Sequence, residues 1–193
     1  MGPIADLKEE HQGVKTMLRI IEAASKRYGG GHEVDTRDFD AILEFLTVFV
    51  DRCHHGKEED FLFPALEAAG VPRDQGPIGV LLHEHEQGRR LVAGLRNAAK
   101  DFTPGDKTAG KTIEKTALDY VALLGSHIEK EESVLFPMAV DMLGTDKQAE
   151  LSEAFEKLEE ERIGSGKHEE FHQLLHRFET GLHRLRPDIN PYN

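Results

Sequence analysis

CHHGKEEDFLFPAL, from Cys53 to Leu66, returns as SHIEKEESVLFPMA from Ser126 to Ala139. Aligning the shared Leu-Phe-Pro places His127 opposite His54 and Glu131 opposite Glu58, each 73 residues later. Each copy carries a histidine and, four residues on, a glutamate. On an α-helix four residues turn through about 400° and rise roughly 6 Å, so both side chains leave the same face one turn apart. Two such pairs are two gripping points for a metal ion.

Outward from the motifs the chain reads as helices. Apolar residues recur at helical spacing, and no stretch alternates long enough to make a strand. A first helix is expected over about Ile4 to Arg27, with Leu7, His11, Val14, Leu18 and Ile21 on its inner stripe and a stop at Gly29-Gly30-Gly31. Asp35 or Thr36 caps a second, which carries Phe39, Ile42, Leu43, Leu46 and Val50 into the first motif and ends near Gly70. Pro64 is expected to kink or break it. The third spans about Ile78 to Lys100, and the fourth runs from about Thr108 through the second motif, with Pro137 matching Pro64.

The repeat reaches upstream as well. His11 lies 43 residues before His54, and His85 lies 42 before His127, each preceded by a glutamate, Glu10 and Glu84. Each half is thus a helix with one histidine, a turn, and a helix with His and Glu. Two halves related by a pseudo-twofold axis make an all-α, antiparallel four-helix bundle with a metal site in its core. The expected domain covers residues 1–145. Residues 146–193, helical to about Leu185 and interrupted at Ile163-Gly164-Ser165-Gly166, form a C-terminal extension packed on the same domain.

Composition narrows the function. With 24 Lys+Arg against 36 Asp+Glu, the net charge of −12 argues against a nucleic-acid or anionic-membrane partner. Cys53 is the only cysteine, which excludes an intrachain disulfide and a thiolate cluster and fits a soluble protein of the reducing cytoplasm. The N-terminus shows no secretory pattern, and no apolar run approaches a membrane span. The metal set is His11, His54, Glu58, His85, His127 and Glu131. Four imidazoles and two carboxylates suit iron, manganese or zinc. Two half-sites imply two metals; if each takes two histidines and both glutamates bridge, each ion has four protein ligands, and a bridging oxide or hydroxide makes five. Open positions on a redox-capable pair would take dioxygen, peroxide or nitric oxide.

These residues resemble the hemerythrin-like proteins, also called HHE cation-binding proteins, over roughly Ile4 to Leu143. The markers are the Glu-His of the first and third helices and the two His-x-x-x-Glu-Glu-x-x-Leu-Phe-Pro motifs. The resemblance implies a non-haem di-iron centre in an antiparallel four-helix bundle, with His11, His54, His85 and His127 as terminal ligands and Glu58 and Glu131 as bridges. Oxygen-carrying members place a further histidine where this chain has Arg89, and an aspartate where it has Glu132. The four-histidine, two-glutamate pattern is more similar to bacterial iron-centre repair proteins and iron-sensing hemerythrin domains. Whether the protein is an enzyme, a carrier, a sensor or an iron-storage or delivery module stays open at this level. No redox or signalling partner is named by the sequence.

Several neighbours have a plainer reading. His55 is expected to pack or to support the site, since its counterpart in the second copy is Ile128, and a ligand role for it is the minority option. His83, about 200° round the helix from His85, is expected to be exposed. Glu10 and Glu84 are read as solvated, with orienting a ligand or relaying a proton as the alternative; Arg89 is read as a surface residue, with pairing to an acidic neighbour or gating the cavity as the alternative. Tyr120 is read as a buried core residue or a hydrogen-bond donor to a metal-bound ligand, and Cys53 as a buried packing residue. His168, His172 and His176 recur every four residues on a covering helix and are read as mostly solvated.

Overall fold

The computed structural model describes residues 2–30, 36–100, 102–103, 105–164 and 166–184. Helix α1 spans Pro3–Gly29. Helix α2 is a continuous run over residues 36–68: α-helical Thr36–Glu44, π-helical Phe45–His55 and Glu58–Leu62, then α-helical Phe63–Ala68. Helix α3 is Pro77–Lys100. Helix α4 covers residues 107–142, α-helical over Lys107–Lys130, π-helical over Glu131–Leu135 and α-helical again over Phe136–Met142. Helices α5 (Thr145–Arg162) and α6 (Lys167–Arg184) follow, and no strand occurs among the described residues.

The expected all-α bundle is the observed one. Helix α1 packs along α4, α4 along α3, α3 against α2, and α2 closes the ring on α1. Neighbours run antiparallel: His11 near the start of α1 meets Glu131 late in α4, while Gly110 early in α4 meets Tyr28 at the end of α1. The α1 and α4 backbones touch there. A Cβ on Gly110 would stand 2.2 Å from the Tyr28 carbonyl oxygen, so Gly110→Ala is expected to force the helices apart and lower stability by about 1–3 kcal/mol in a denaturant melt.

Pro64 and Pro137 do not break their helices. A proline has no N–H to donate to the fourth residue back and crowds that carbonyl. The chain absorbs this with a π-turn just upstream. The Phe63 N–H reaches back five residues to the Glu58 carbonyl, and the Phe136 N–H likewise to that of Glu131. The wider turn begins at the same glutamate in both copies, and such bulges concentrate at functional sites. The cap expected at Asp35 lies outside the described residues.

Two apolar clusters fill the bundle, and the histidines form a layer between them. One cluster holds Val14, Leu18, Leu46, Val50, Leu95 and Leu124; the other holds Leu7, Leu62, Phe63, Leu81, Leu135 and Phe136. Each histidine of the set lies between a residue of one cluster and a residue of the other on its own helix. Helices α5 and α6 cover the α1–α2 side. Phe155 of α5 packs near Lys57 and Phe61, and Phe171 of α6 meets Phe45 and Phe49 edge-on. His172 and His176 are exposed, as expected, while the His168 side chain lies outside what the structure describes. Among the described residues no helix is long and apolar enough to cross a membrane.

Candidate metal centre

All six residues of the set converge in the middle of the bundle and are buried. The imidazoles fall into two pairs. The Nε2 atoms of His11 and His54 lie 3.1 Å apart, and those of His85 and His127 also 3.1 Å apart. The two carboxylates lie between the pairs. Glu131 reaches His127 Nε2 at 2.8 Å and His11 Nε2 at 3.1 Å; Glu58 reaches His85 Nε2 at 3.4 Å and His54 Nε2 at 3.8 Å. Each glutamate therefore touches one histidine from each pair.

The outward ring nitrogens explain why the inner ones converge. His54 Nδ1 faces Glu10 at 2.7 Å, His127 Nδ1 faces Glu84 at 3.0 Å, His85 Nδ1 faces Glu59 at 2.7 Å, and His11 Nδ1 faces Glu132 at 3.0 Å. Each Nδ1–H donates to a carboxylate, which fixes the tautomer and leaves a lone pair on Nε2. A third layer holds those carboxylates in turn. Lys57 and Lys130 bind Glu10 and Glu84, while Lys15 and Arg89 bind Glu132 and Glu59. Nearly every contact of one half has its counterpart in the other.

Two neutral Nε2 lone pairs 3.1 Å apart repel unless a proton or a cation sits between them. The carboxylates carry the same message: all four oxygens of Glu58 and Glu131 are buried without a hydrogen-bond partner. Burial and the adjacent Glu131 push the Glu58 carboxyl well above its usual range. Burial opposes a charge on His127, but Glu131 and Glu84 outweigh it and raise that imidazole to about 10. Its partner His85 is lowered, chiefly by burial. Buried carboxylates and imidazoles of this kind are costly alone and favourable around a cation. Donor atoms of Glu58, His85, His127 and Glu131 all lie within 4.8 Å of one another, as do those of His11, His54 and Glu131. The donor set fits a hard-to-borderline metal ion.

The support that the sequence reading ranked second is the arrangement observed. Glu10 is buried, not solvated: burial pushes its carboxyl up, but His54 and Lys57 bring it down to about 2. Glu84, Glu59 and Glu132 are partly covered and engaged with histidines. Arg89 is no free surface residue, since it joins Asp51 Oδ1 and Glu59 Oε1, each at 2.7 Å. The signal was present in the repeated Lys-Glu-Glu and Glu-His, which reproduce lysine and both glutamates along with the ligand candidates. His83 is exposed and meets Gln87, as expected. Cys53 is fully buried, and burial pushes its thiol up.

A profile of the hemerythrin HHE cation-binding domain matches residues 2–139, most of the chain and all six converging side chains. The chain belongs to that family. It is similar to an uncharacterized protein of Mycobacterium tuberculosis, 26% identical over 159 residues, 82% of this chain and 62% of the relative. It is also similar to the iron-sulfur cluster repair protein YtfE of Salmonella typhimurium, 33% identical over 103 residues, 51% of this chain and 47% of the relative. The Escherichia coli YtfE is 30% identical over the same length. The chain thus spans about three fifths of the mycobacterial relative and half of the repair proteins. No solved structure matches it. Metal binding by a hemerythrin-like helical bundle is the function these findings establish.

Proposed function

We propose that this hemerythrin-family chain holds two iron ions at a carboxylate-bridged centre and uses them to bind or reduce a small oxidant: dioxygen, peroxide or nitric oxide. The observation that carries the proposal is the set of converging Nε2 lone pairs and partnerless Glu58 and Glu131 oxygens in a dry, apolar-walled layer. His11 and His54 would hold one ion, His85 and His127 the other, and Glu58 and Glu131 would span them. Bound iron supplies a one-electron redox change and coordination positions that a small oxidant can enter. Manganese or zinc would meet the same donors.

The chain's own contribution is orientation and exclusion. Four carboxylates on the Nδ1 atoms keep each imidazole in the tautomer that points a lone pair inward. The two apolar clusters limit bulk water on either side. A cavity of about 150 Å³, lined by Leu46, Val50, Asp51, His55, Arg89 and Tyr120, gives a small molecule a route towards His55. Similarity to proteins named for iron-sulfur cluster repair supports a second reading, iron delivery or iron and oxygen sensing without turnover.

The test uses anaerobically reduced, iron-loaded protein exposed separately to dioxygen, peroxide and nitric oxide while its optical spectrum is followed. Oxidant binding gives a stoichiometric spectral change, reversible for a carrier and accompanied by continued loss of oxidant for an enzyme. A spectrum unmoved by all three overturns the oxidant reading and leaves delivery or storage.

A further inference from the structure

Among the described residues, buried side-chain nitrogens and oxygens without a hydrogen-bond partner belong to three residues: Glu58, Glu131 and His55. The first two are the carboxylates between the histidine pairs. His55 shares their condition without having been counted with them. Its side chain is 5% exposed, yet neither ring nitrogen makes a hydrogen bond. Leaving a buried polar group unsatisfied is costly, and native structures keep few such groups without a reason.

Its position supplies one. A ring nitrogen of His55 lies within 4.8 Å of those of His85 and His127. The His55 ring stacks on that of His85, centroids 3.8 Å apart and planes at 15°, and meets His127 edge-on at 5.6 Å. On its other side, Nδ1 faces Asp51 Oδ1 at 3.5 Å, too long for a good hydrogen bond. Asp51 is fixed by Arg89. Thus Asp51 stands towards His55 as Glu10, Glu59, Glu84 and Glu132 stand towards the other four histidines. The second half offers no equivalent, since residue 128 is a buried isoleucine and residue 124 a buried leucine where the first half has His55 and Asp51.

We infer that His55 is a third histidine ligand to the cation held by His85 and His127, so that one metal takes three imidazoles and the other two. The inference rests on the proposed two-metal reading. To ligate, the ring must turn out of its stack on His85, because histidines on one ion meet at a tilt, as His85 and His127 do at 59°. The adjoining cavity leaves it room to turn.

The test is a cobalt(II) titration of the metal-free full chain, read by visible d–d absorption, on wild type, His55→Ala and His55→Phe. The phenylalanine keeps ring volume and stacking but removes both nitrogens. Both variants are expected to bind two cobalt ions, with one binding step weakened roughly tenfold or more and its absorption altered. Added imidazole should restore the wild-type spectrum to His55→Ala, and pyrrole, which lacks a free lone pair, should not. Identical spectra and affinities in all three proteins overturn the inference while leaving two-metal binding intact. Restoration by pyrrole as well as imidazole overturns it too, by showing a packing role. A wild type that binds fewer than two cobalt ions defeats the two-metal reading, and the inference with it.

Discussion

Glu58→Leu combined with Glu131→Leu is expected to take the protein from two metals per chain to fewer than one, and to reverse the effect of metal on its stability. Both carboxylates are 0% exposed, with no hydrogen-bond partner on any oxygen. In metal-free protein these groups oppose folding, and replacing buried charged groups by apolar residues of similar volume often stabilises by about 1–4 kcal/mol. The metal-free variant should therefore melt higher than metal-free wild type. With metal the order inverts. A cation that binds only the folded state at a thousand times its dissociation constant adds about 4 kcal/mol per site, or roughly 10 °C for a chain of this size. Metal analysis and paired melts with and without chelator read both effects. Two retained metals in the variant, or melts that keep the same order in both conditions, would sink the assignment of Glu58 and Glu131 as the bridging pair.

Lys57→Met is expected to destabilise the protein by about 3–5 kcal/mol, against under about 1 kcal/mol for Lys130→Met. The two lysines hold equivalent places in the repeat, each on the carboxylate that orients a histidine. Their surroundings differ. The Lys57 side chain is 2% exposed and 41% of Lys130 is exposed. Helix α5 makes the difference by laying Phe155 and Glu159 over Lys57, and Lys57 binds both Glu10 and Glu159. Without the ammonium, Glu10 stays buried with only His54 to balance it. Water reaches Glu84 in the second half, so the same loss there is screened. Urea melts of the two variants measure the contrast, and equal costs would show that α5 does not seal the first half-site.

Glycine at position 56 belongs to the same asymmetry. A Cβ there would come 2.8 Å from an Arg162 guanidinium nitrogen, and Arg162 also binds Asp60. The second motif, with no helix laid over it in this way, carries Glu129 at the matching position. Departures between the copies at His55, Gly56 and Asp51 therefore fall on the side that meets α5 or the cavity. A comparison of the two motifs treats such differences as noise. Packing shows that they have separate physical causes.

Glu10, Glu59, Glu84 and Glu132 mark where sequence reasoning stopped. On a helix a glutamate reads as solvated unless something places a partner above it, and each of these meets its histidine across the bundle, 26 to 121 residues away in the chain. Pro64 and Pro137 show a second limit. A proline inside a helical pattern predicts a kink or a break, and here one wider turn with a bond five residues back carries the helix on. Helical periodicity does not reveal that solution.

What the sequence determined by itself is whatever the duplication repeats: four helices, the register that pairs His54 with His127, and six side chains placed on inward faces. Helical spacing converts directly into a shared face, so these were legible residue by residue. Only the tertiary structure decided which histidines pair, which carboxylates steer them, how deeply Lys57 is buried and what His55 faces. Those depend on which surfaces meet across the bundle and on how much water is excluded when they do, and neither is a property of spacing along one helix.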